Sequence, residues 1–332
     1  MHRVHPVPLV SIGIPVFNGE RGIARCLESV LGQDYPNLEI IISDNASTDR
    51  TAEICRSYAA HDARIKYFRE LENRGGVWNF NRVFELATGD YFMWSAHDDE
   101  RDPAFVNACV TALEQNPDAV LCQAHTLAVM EDSGAPLYIA RLETFEPDGG
   151  LSARYRKTLR YLPATALYGL FRTSAMRWTR LLTQVIASDL AFLQELAIYG
   201  RFVEVRRVLF QYGLGQTWNT IDQDARHFLS RRKPWYYVPF VMLAIEHAKR
   251  VAGAPIPAFT KLRLWACLAN HEIRHVVRTI ALKLAGAVCP ERRKEELCVA
   301  MYYRLLHNPN VQVLDPTLFV ERVCKPQVGW WR

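Results

Sequence analysis

The sequence predicts an α/β fold in which helices cover an open, mostly parallel sheet. Three observations carry this prediction. Hydrophobic runs of strand length alternate with helix-period segments from Leu9 to Thr126. Two of the runs, residues 9–17 and 38–43, are nearly continuous in apolar and β-branched side chains, as strands buried on both faces are. Polar clusters follow the runs directly, where a parallel sheet binds its ligands.

Residues 9–17 read as the first strand, ended by Asn18-Gly19. Residues 20–31 follow as a helix with Ile23, Leu27, Val30 and Leu31 on one face. Residues 38–43 make the second strand. Residues 51–60 make a helix opened by Ser47-Thr48-Asp49, whose short polar side chains suit a cap. A third strand at 65–69, a helix at 77–87 and a fourth strand at 90–95 come next. Residues 103–115 read as a helix with Asp102 as N-cap and Pro103 at the first helical position. Residues 118–126 are a fifth strand. Glu131-Asp132-Ser133-Gly134 reads as a hairpin turn, 151–161 and 188–199 as helices, and 202–212 as a strand. From about Thr217 the chain reads as helical and basic.

The chain has 332 residues, 49% hydrophobic and 23% charged, which suits two globular domains and excludes a disordered protein. The longest run without Lys, Arg, Asp or Glu, residues 4–19, is too short and too rich in proline to span a bilayer. No apolar segment follows a charged start, so a cytoplasmic protein is expected. The eight cysteines are scattered singly, which argues against a zinc site or disulfide framework. The net charge of +5 is uneven. Residues 1–224 hold 22 Lys+Arg against 28 Asp+Glu, and residues 225–332 hold 18 against 7.

Four polar clusters offer chemistry. In His97-Asp98-Asp99, adjacent carboxylates at a strand end suit Mg²⁺ or Mn²⁺, or else form a solvated acidic turn. Asp44 ends a hydrophobic strand and could accept hydrogen bonds from a ligand, or make an Asx turn with Asn45 and Asp49. Asn73-Arg74-Gly75-Gly76 could cradle phosphate or be a plain loop. Asp189 opens a helix, either as part of an ordinary cap or as a general base.

As an ordered set these clusters resemble family 2 glycosyltransferases, which have the GT-A fold. The resemblance runs from "VSIGIPVFNGE" through "IIISDNASTDRT" to "ENRGGVWNFNRVFELATGDYFMWSAHDDE". It resumes at "GLFRTSAMR" and "SDLAFLQELAIYGRFVEVRRVLFQY". It implies bacterial surface-polysaccharide synthesis from a nucleotide-diphosphate sugar by an inverting, metal-dependent mechanism. Implied donor contacts are Pro15, Phe17, Asn18, Glu20, Asp44, Asn73, Arg74 and Asp98. Implied metal ligands, for Mn²⁺ or Mg²⁺, are Asp98 and Asp99 with His97, and Asp189 is the implied catalytic base. Two departures stand out. Ala96 replaces the first acidic residue of the usual metal motif. Asn79-Phe80-Asn81 replaces Ala-Arg-Asn, so a phosphate contact would pass to Arg74 or Arg82.

A catalytic domain is expected over residues 1–215, with a nucleotide-sugar half to about 103 and an acceptor half over 104–215. A basic helical region is expected over 216–332. Its Arg231-Arg232-Lys233 and Arg292-Arg293-Lys294 clusters, with Trp235, Tyr236, Tyr237, Trp330 and Trp331 nearby, fit peripheral contact with an anionic membrane on its inner face. A growing glycan or lipid-linked acceptor fits the same surface. The apolar stripe Ile273, Val276, Val277, Ile280 and Leu284 is expected to pack on the core. Nucleic acid is disfavoured, because no binding module accompanies the charge. Two other classes stay open. One is a nucleotide-sugar-binding homologue without transfer activity; the other is a sugar nucleotidyltransferase, against which the absence of a Gly-x-Gly run near the first strand counts.

Overall fold

In the computed structural model, residues 7–130, 133–142, 150–185, 187–214, 239–288 and 311–314 are described. Side-chain alternation sets the architecture. Strand β1 (Val10–Val16) pairs in parallel with β2 (Leu38–Asp44) and with β4 (Tyr91–Trp94), and β2 pairs in parallel with β3 (Ile65–Arg69). Ile40, Ile42, Tyr91 and Met93 point to one face. There they meet α1 (Ile23–Leu31), α2 (Thr51–His61) and α4 (Phe105–Glu114). Ile41, Phe92 and Trp94 point to the other face and meet α3 (Gly76–Glu85). Both faces are therefore buried, as the continuous apolar runs require. Gly13 lets α3 approach closely, since a Cβ there would lie 2.7 Å from Val83 Cγ2.

The second half of the sheet is mixed. Beyond β4 the order continues through β8 (Leu170–Arg172), β6 (Ala119–Met130), β7 (Pro136–Ala140) and β10 (Val311–Val313), with antiparallel neighbours throughout. Strand β9 (Arg201–Leu214) runs parallel to β6 and antiparallel to the two-residue β5 (Glu100–Arg101). Helix α5 (Gly150–Tyr161), the four-residue α6 (Thr173–Met176) and α7 (Ser188–Tyr199) flank this half. The β6–β7 hairpin forms where its turn is expected, although Glu131 and Asp132 lie outside the described residues.

Two helix starts differ from expectation. Helix α1 begins at Ile23 because Gly19–Gly22 forms a turn that closes on the Gly19 carbonyl. Helix α4 begins at Phe105, and Asp102 accepts the N–H of Ala104 at 2.9 Å, which leaves Pro103 in the preceding turn. The described cysteines are free thiols, with Cys26, Cys55, Cys109 and Cys122 buried.

The described part of the basic region is two helices, α8 (Pro239–Gly253) and α9 (Ala258–Val288), and the strand β10, so the region is not helical throughout as expected. Val251, Ala254, Leu264 and Leu268 pack with Tyr155, Leu159 and Ile198 of α5 and α7. Arg250, 1% exposed, anchors this packing. It donates to Glu195 of α7, pairs with Glu246 at 3.1 Å, and donates to the Leu181 carbonyl at 2.8 Å and Thr183 Oγ1 at 3.1 Å. The expected boundary at residue 215, the Arg231–Lys233 and Arg292–Lys294 clusters, their neighbouring aromatics and Trp330-Trp331 lie outside the described residues. Within the expected apolar stripe, Ile273 is exposed rather than packed, because the inward face of α9 is carried by Leu264 and Leu268.

His247 on α8 is buried, and neither ring nitrogen finds a partner among the described residues. Burial, then the charge of Arg250 and His271, pushes its imidazole down to about 4. The folded state holds it neutral while the unfolded chain takes up a proton near pH 6.5. Stability is therefore full above pH 6.5 and falls as the pH drops towards 4, by on the order of 3 kcal/mol. Thermal melts over this window are expected to show wild type losing stability relative to His247→Leu as the pH falls. Parallel curves would contradict the assignment.

Candidate active site

The carboxyl ends of β1, β2 and β4 meet at one edge, and the loops there are stitched together. Asn18, at a φ of 52°, receives the Thr48 N–H on its Oδ1 at 2.8 Å and donates its own N–H to Ser47 Oγ at 2.9 Å. The Glu20 carboxylate accepts the Arg50 N–H at 3.1 Å. Both expected donor contacts thus use their side chains to clamp the loop after β2. Pro15 is buried within β1 opposite Ser43, and Phe17 leaves a 42% exposed ring at the strand end.

Asp44 is fully buried. Its Oδ1 accepts the Ser47 N–H at 2.8 Å, its Oδ2 accepts the Tyr67 hydroxyl at 2.7 Å, and Arg69 Nε lies at 3.6 Å. The turn reading expected for Asp44 is therefore present, though with Ser47 rather than Asn45 as the partner. Asn45 works separately. Its Nδ2 donates to Asn73 Oδ1 at 2.9 Å and its Oδ1 accepts the Arg74 N–H at 2.9 Å. This places Asn73 and Arg74 at the ends of β2 and β3, ahead of Gly75, whose φ of 86° suits glycine. The exposed Arg74 guanidinium stacks on Trp78 at 4.2 Å. Arg82, the other expected phosphate contact, is held by Glu70 and Glu85 at 3.8 and 3.7 Å. An open cleft of about 760 Å³ lies nearby, lined by Ser47, Arg50, Arg56, Arg69 and Leu71. Asp98, Asp99 and Asp189 do not line it.

The acidic motif follows β4. His97, Asp98 and Asp99 do not converge as a three-ligand centre, and no group of three His, Cys, Asp or Glu side chains does so among the described residues. The His97 ring packs against Gly19, where a Cβ would lie 2.6 Å from its Cδ2, while Asp98 is exposed and Asp99 is buried. Burial pushes the Asp99 carboxyl well up, Arg101 pulls it down, and Asp98 raises it further. Its Oδ2 is buried without a hydrogen-bond partner among the described residues. A hard carboxylate oxygen in that state fits a divalent cation. One or two carboxylates completed by phosphate and water is the usual Mg²⁺ or Mn²⁺ arrangement. Gly22 sets the loop beneath: a Cβ there would lie 2.8 Å from the His97 carbonyl oxygen and 3.0 Å from Asp98 Cα. Gly22→Ala is expected to cost about 1–3 kcal/mol and to displace the acidic loop. Melting and a donor titration check this, and two unchanged values would contradict it.

Arg101 was not anticipated. It is buried beside Asp99 and donates to Ser95 Oγ at 2.7 Å and to the Trp94 carbonyl at 2.8 Å, with its guanidinium 4.7 Å from the Phe210 ring. The run His97-Asp98-Asp99-Glu100-Arg101 held the signal, a lone cation closing an acidic cluster.

Asp189 sits in the first turn of α7, half-buried, after Ala187 at a φ of 55°. Burial raises its carboxyl above the usual range, against the opposing effect of its own and the Leu190 N–H groups. Two tyrosines join it to the acidic motif. The β5–β9 pairing sets Glu100 against Gln211, next to Tyr212, and Arg101 reaches the Tyr168 carbonyl at 3.3 Å. Both phenols are pushed up first by burial, and the charges of Asp98, Asp99 and Asp189 all contribute further. The three carboxylates therefore lie within electrostatic reach of the same two side chains, although Asp189 is some ninety positions along the chain.

The mostly parallel sheet flanked by helices is that of the GT-A fold class. Residues 11–180, just over half of the chain, match the family described as Glycosyl transferase family 2, and the chain belongs to that family. It is 38% identical over 110 residues to the putative glycosyltransferase EpsE of Bacillus subtilis, covering 33% of this chain and 40% of EpsE. The match thus spans about two fifths of that relative's length. The fold is shared with S. aureus TarS residues 1–349 in complex with UDP-GlcNAc, at a TM-score of 0.59 and 18% identity, over 91% of this chain and 82% of that one. It is shared also with the mannosyltransferase PcManGT of Pyrobaculum calidifontis in complex with GDP-Man and Mn²⁺. That match has a TM-score of 0.52 and 16% identity, over 98% of this chain and 86% of the other.

Proposed function

We propose that the protein is a metal-dependent, inverting glycosyltransferase. It moves a sugar from a nucleotide-diphosphate donor to a hydroxyl of a glycan or lipid-linked acceptor in surface-polysaccharide synthesis, in the cytoplasm beside the membrane. The observation that carries this reading is the match of residues 11–180 to the glycosyltransferase family, and the buried Asp99 Oδ2, without a hydrogen-bond partner among the described residues and next to the exposed Asp98, supports the cation site.

Phe17, Asn73 and Arg74 would contact the nucleotide at the carboxyl edge of the sheet, where Asp44, Asn18 and Glu20 brace the loop after β2. Asp98 and Asp99 would hold the divalent cation. When bound, that cation supplies Lewis-acid neutralisation of the diphosphate leaving group. Asp189, its carboxyl raised by burial, would take the proton of the acceptor hydroxyl. The hydroxyl oxygen then bonds to the anomeric carbon while the bond from that carbon to the diphosphate oxygen breaks. The electron pair leaves with the diphosphate. A single displacement of this kind inverts the anomeric centre.

A panel of UDP-, GDP- and dTDP-sugars with and without Mn²⁺ tests the reading. Turnover that requires the cation with one donor class is expected. Undiminished turnover after exhaustive chelation would overturn the role of Asp98 and Asp99. Donor binding without transfer to any acceptor would replace an enzyme with a binding protein.

A further inference from the structure

Helix α9 carries two apolar faces. The inner one, Leu264 and Leu268, is buried against α5 and α7. The outer one runs through Phe259, Leu262, Ala266, Ala269 and Ile273 at three- and four-residue spacing, and all five are exposed. Phe259, Leu262 and Ile273 are 64%, 59% and 62% exposed. A stripe of this kind marks an interaction surface, because scattered single apolar residues do not align on one helix face.

The charges beside it select the partner. Arg263 lies over the Phe259 ring at 4.4 Å, and Arg274 Nε donates to Asn270 Oδ1 at 3.0 Å. Lys261 belongs to the same stretch, and Glu272 is its one acidic residue between positions 258 and 274. A second copy of this face would bring like charges together. An anionic leaflet accepts both features, the apolar stripe at the acyl boundary and the cations among the headgroups. Among the described residues no helix is long and apolar enough to cross a membrane. We propose that the outer face of α9 docks in the plane of an anionic bilayer and holds the enzyme there peripherally.

This does not depend on the transfer chemistry, since vesicle binding is read without donor or acceptor. The full-length protein is sedimented with phosphatidylcholine vesicles, with and without about 30% phosphatidylglycerol. Wild type is expected to partition onto the anionic vesicles and not the neutral ones. Leu262→Glu/Ile273→Glu is expected to weaken that partition by about tenfold or more, and Arg263→Glu/Arg274→Glu by a similar factor. All four positions are exposed, so melting midpoints should be unchanged; if one pair unfolds, the other decides. Equal partition of a folded variant and wild type would overturn the proposal, as would equal binding to neutral vesicles or no binding at all. Self-association of wild type that Leu262→Glu/Ile273→Glu abolishes would assign the face to a second copy instead.

Discussion

Asp189→Asn is expected to lower kcat by about 10²–10⁴-fold while the donor Kd stays within about threefold. The amide keeps the size and the first-turn position of the side chain but cannot take a proton. Wild-type kcat should fall on acidification through a pKa above the ordinary aspartate range, because burial favours the neutral carboxyl. In the variant that acid limb should vanish from the residual rate. Initial rates over the acid range, with donor titrations at each pH, check both. A variant with the wild-type rate, or one that loses donor binding instead, would remove Asp189 from the role of base.

The second large effect is structural. Arg250→Met is expected to destabilise the protein by about 3–5 kcal/mol, since it removes the buried cation paired with Glu195 and leaves Glu246 with Arg180 alone. Burial already raises the Glu195 carboxyl, and Arg250 is the strongest influence holding it down. The loss should also reach the candidate site. Arg250 holds Leu181 and Thr183, and the Thr183 N–H donates to Ser188 Oγ, next to Asp189. From the other side, Asn81 of α3 receives the Leu182 N–H at 3.1 Å and donates to its carbonyl at 2.8 Å. Adding Glu195→Leu to Arg250→Met is expected to restore most of the lost stability, because Glu246 keeps Arg180 at 3.2 Å. Denaturant unfolding of the three proteins measures this. A single variant as stable as wild type would contradict the buried-pair account.

The parallel half of the sheet was legible because its strands are buried on both faces. Residues such as Ile40, Ile41 and Ile42 leave no other use for a continuous β-branched run. The positions of the polar clusters followed from the same rule. The antiparallel half was harder to read. Strand β8 has three residues and β10 another three, too few for any period, and their pairing with β4, β6 and β7 is decided by long-range contact. Side-chain roles at the site were the least legible. Asn18 and Glu20 stand where a donor would be met, yet their amide and carboxyl oxygens are taken by backbone N–H groups of a loop some thirty residues away. Nothing in the local sequence announces that. Arg250 lay in a region read by its surplus of charge, and one member of that surplus proves to be the buried cation joining α8 to α7.

The anomeric configuration of the first-formed product tests the central claim most directly. With a donor of defined anomeric configuration and Mn²⁺ present, proton NMR during the initial turnovers is expected to show a single product of opposite configuration. That result fits one displacement, and the kinetics of Asp189→Asn decide the base. A product of retained configuration would contradict the account. Two displacements need a nucleophile on the donor face, a role that the proposal gives to none of Asp98, Asp99 and Asp189.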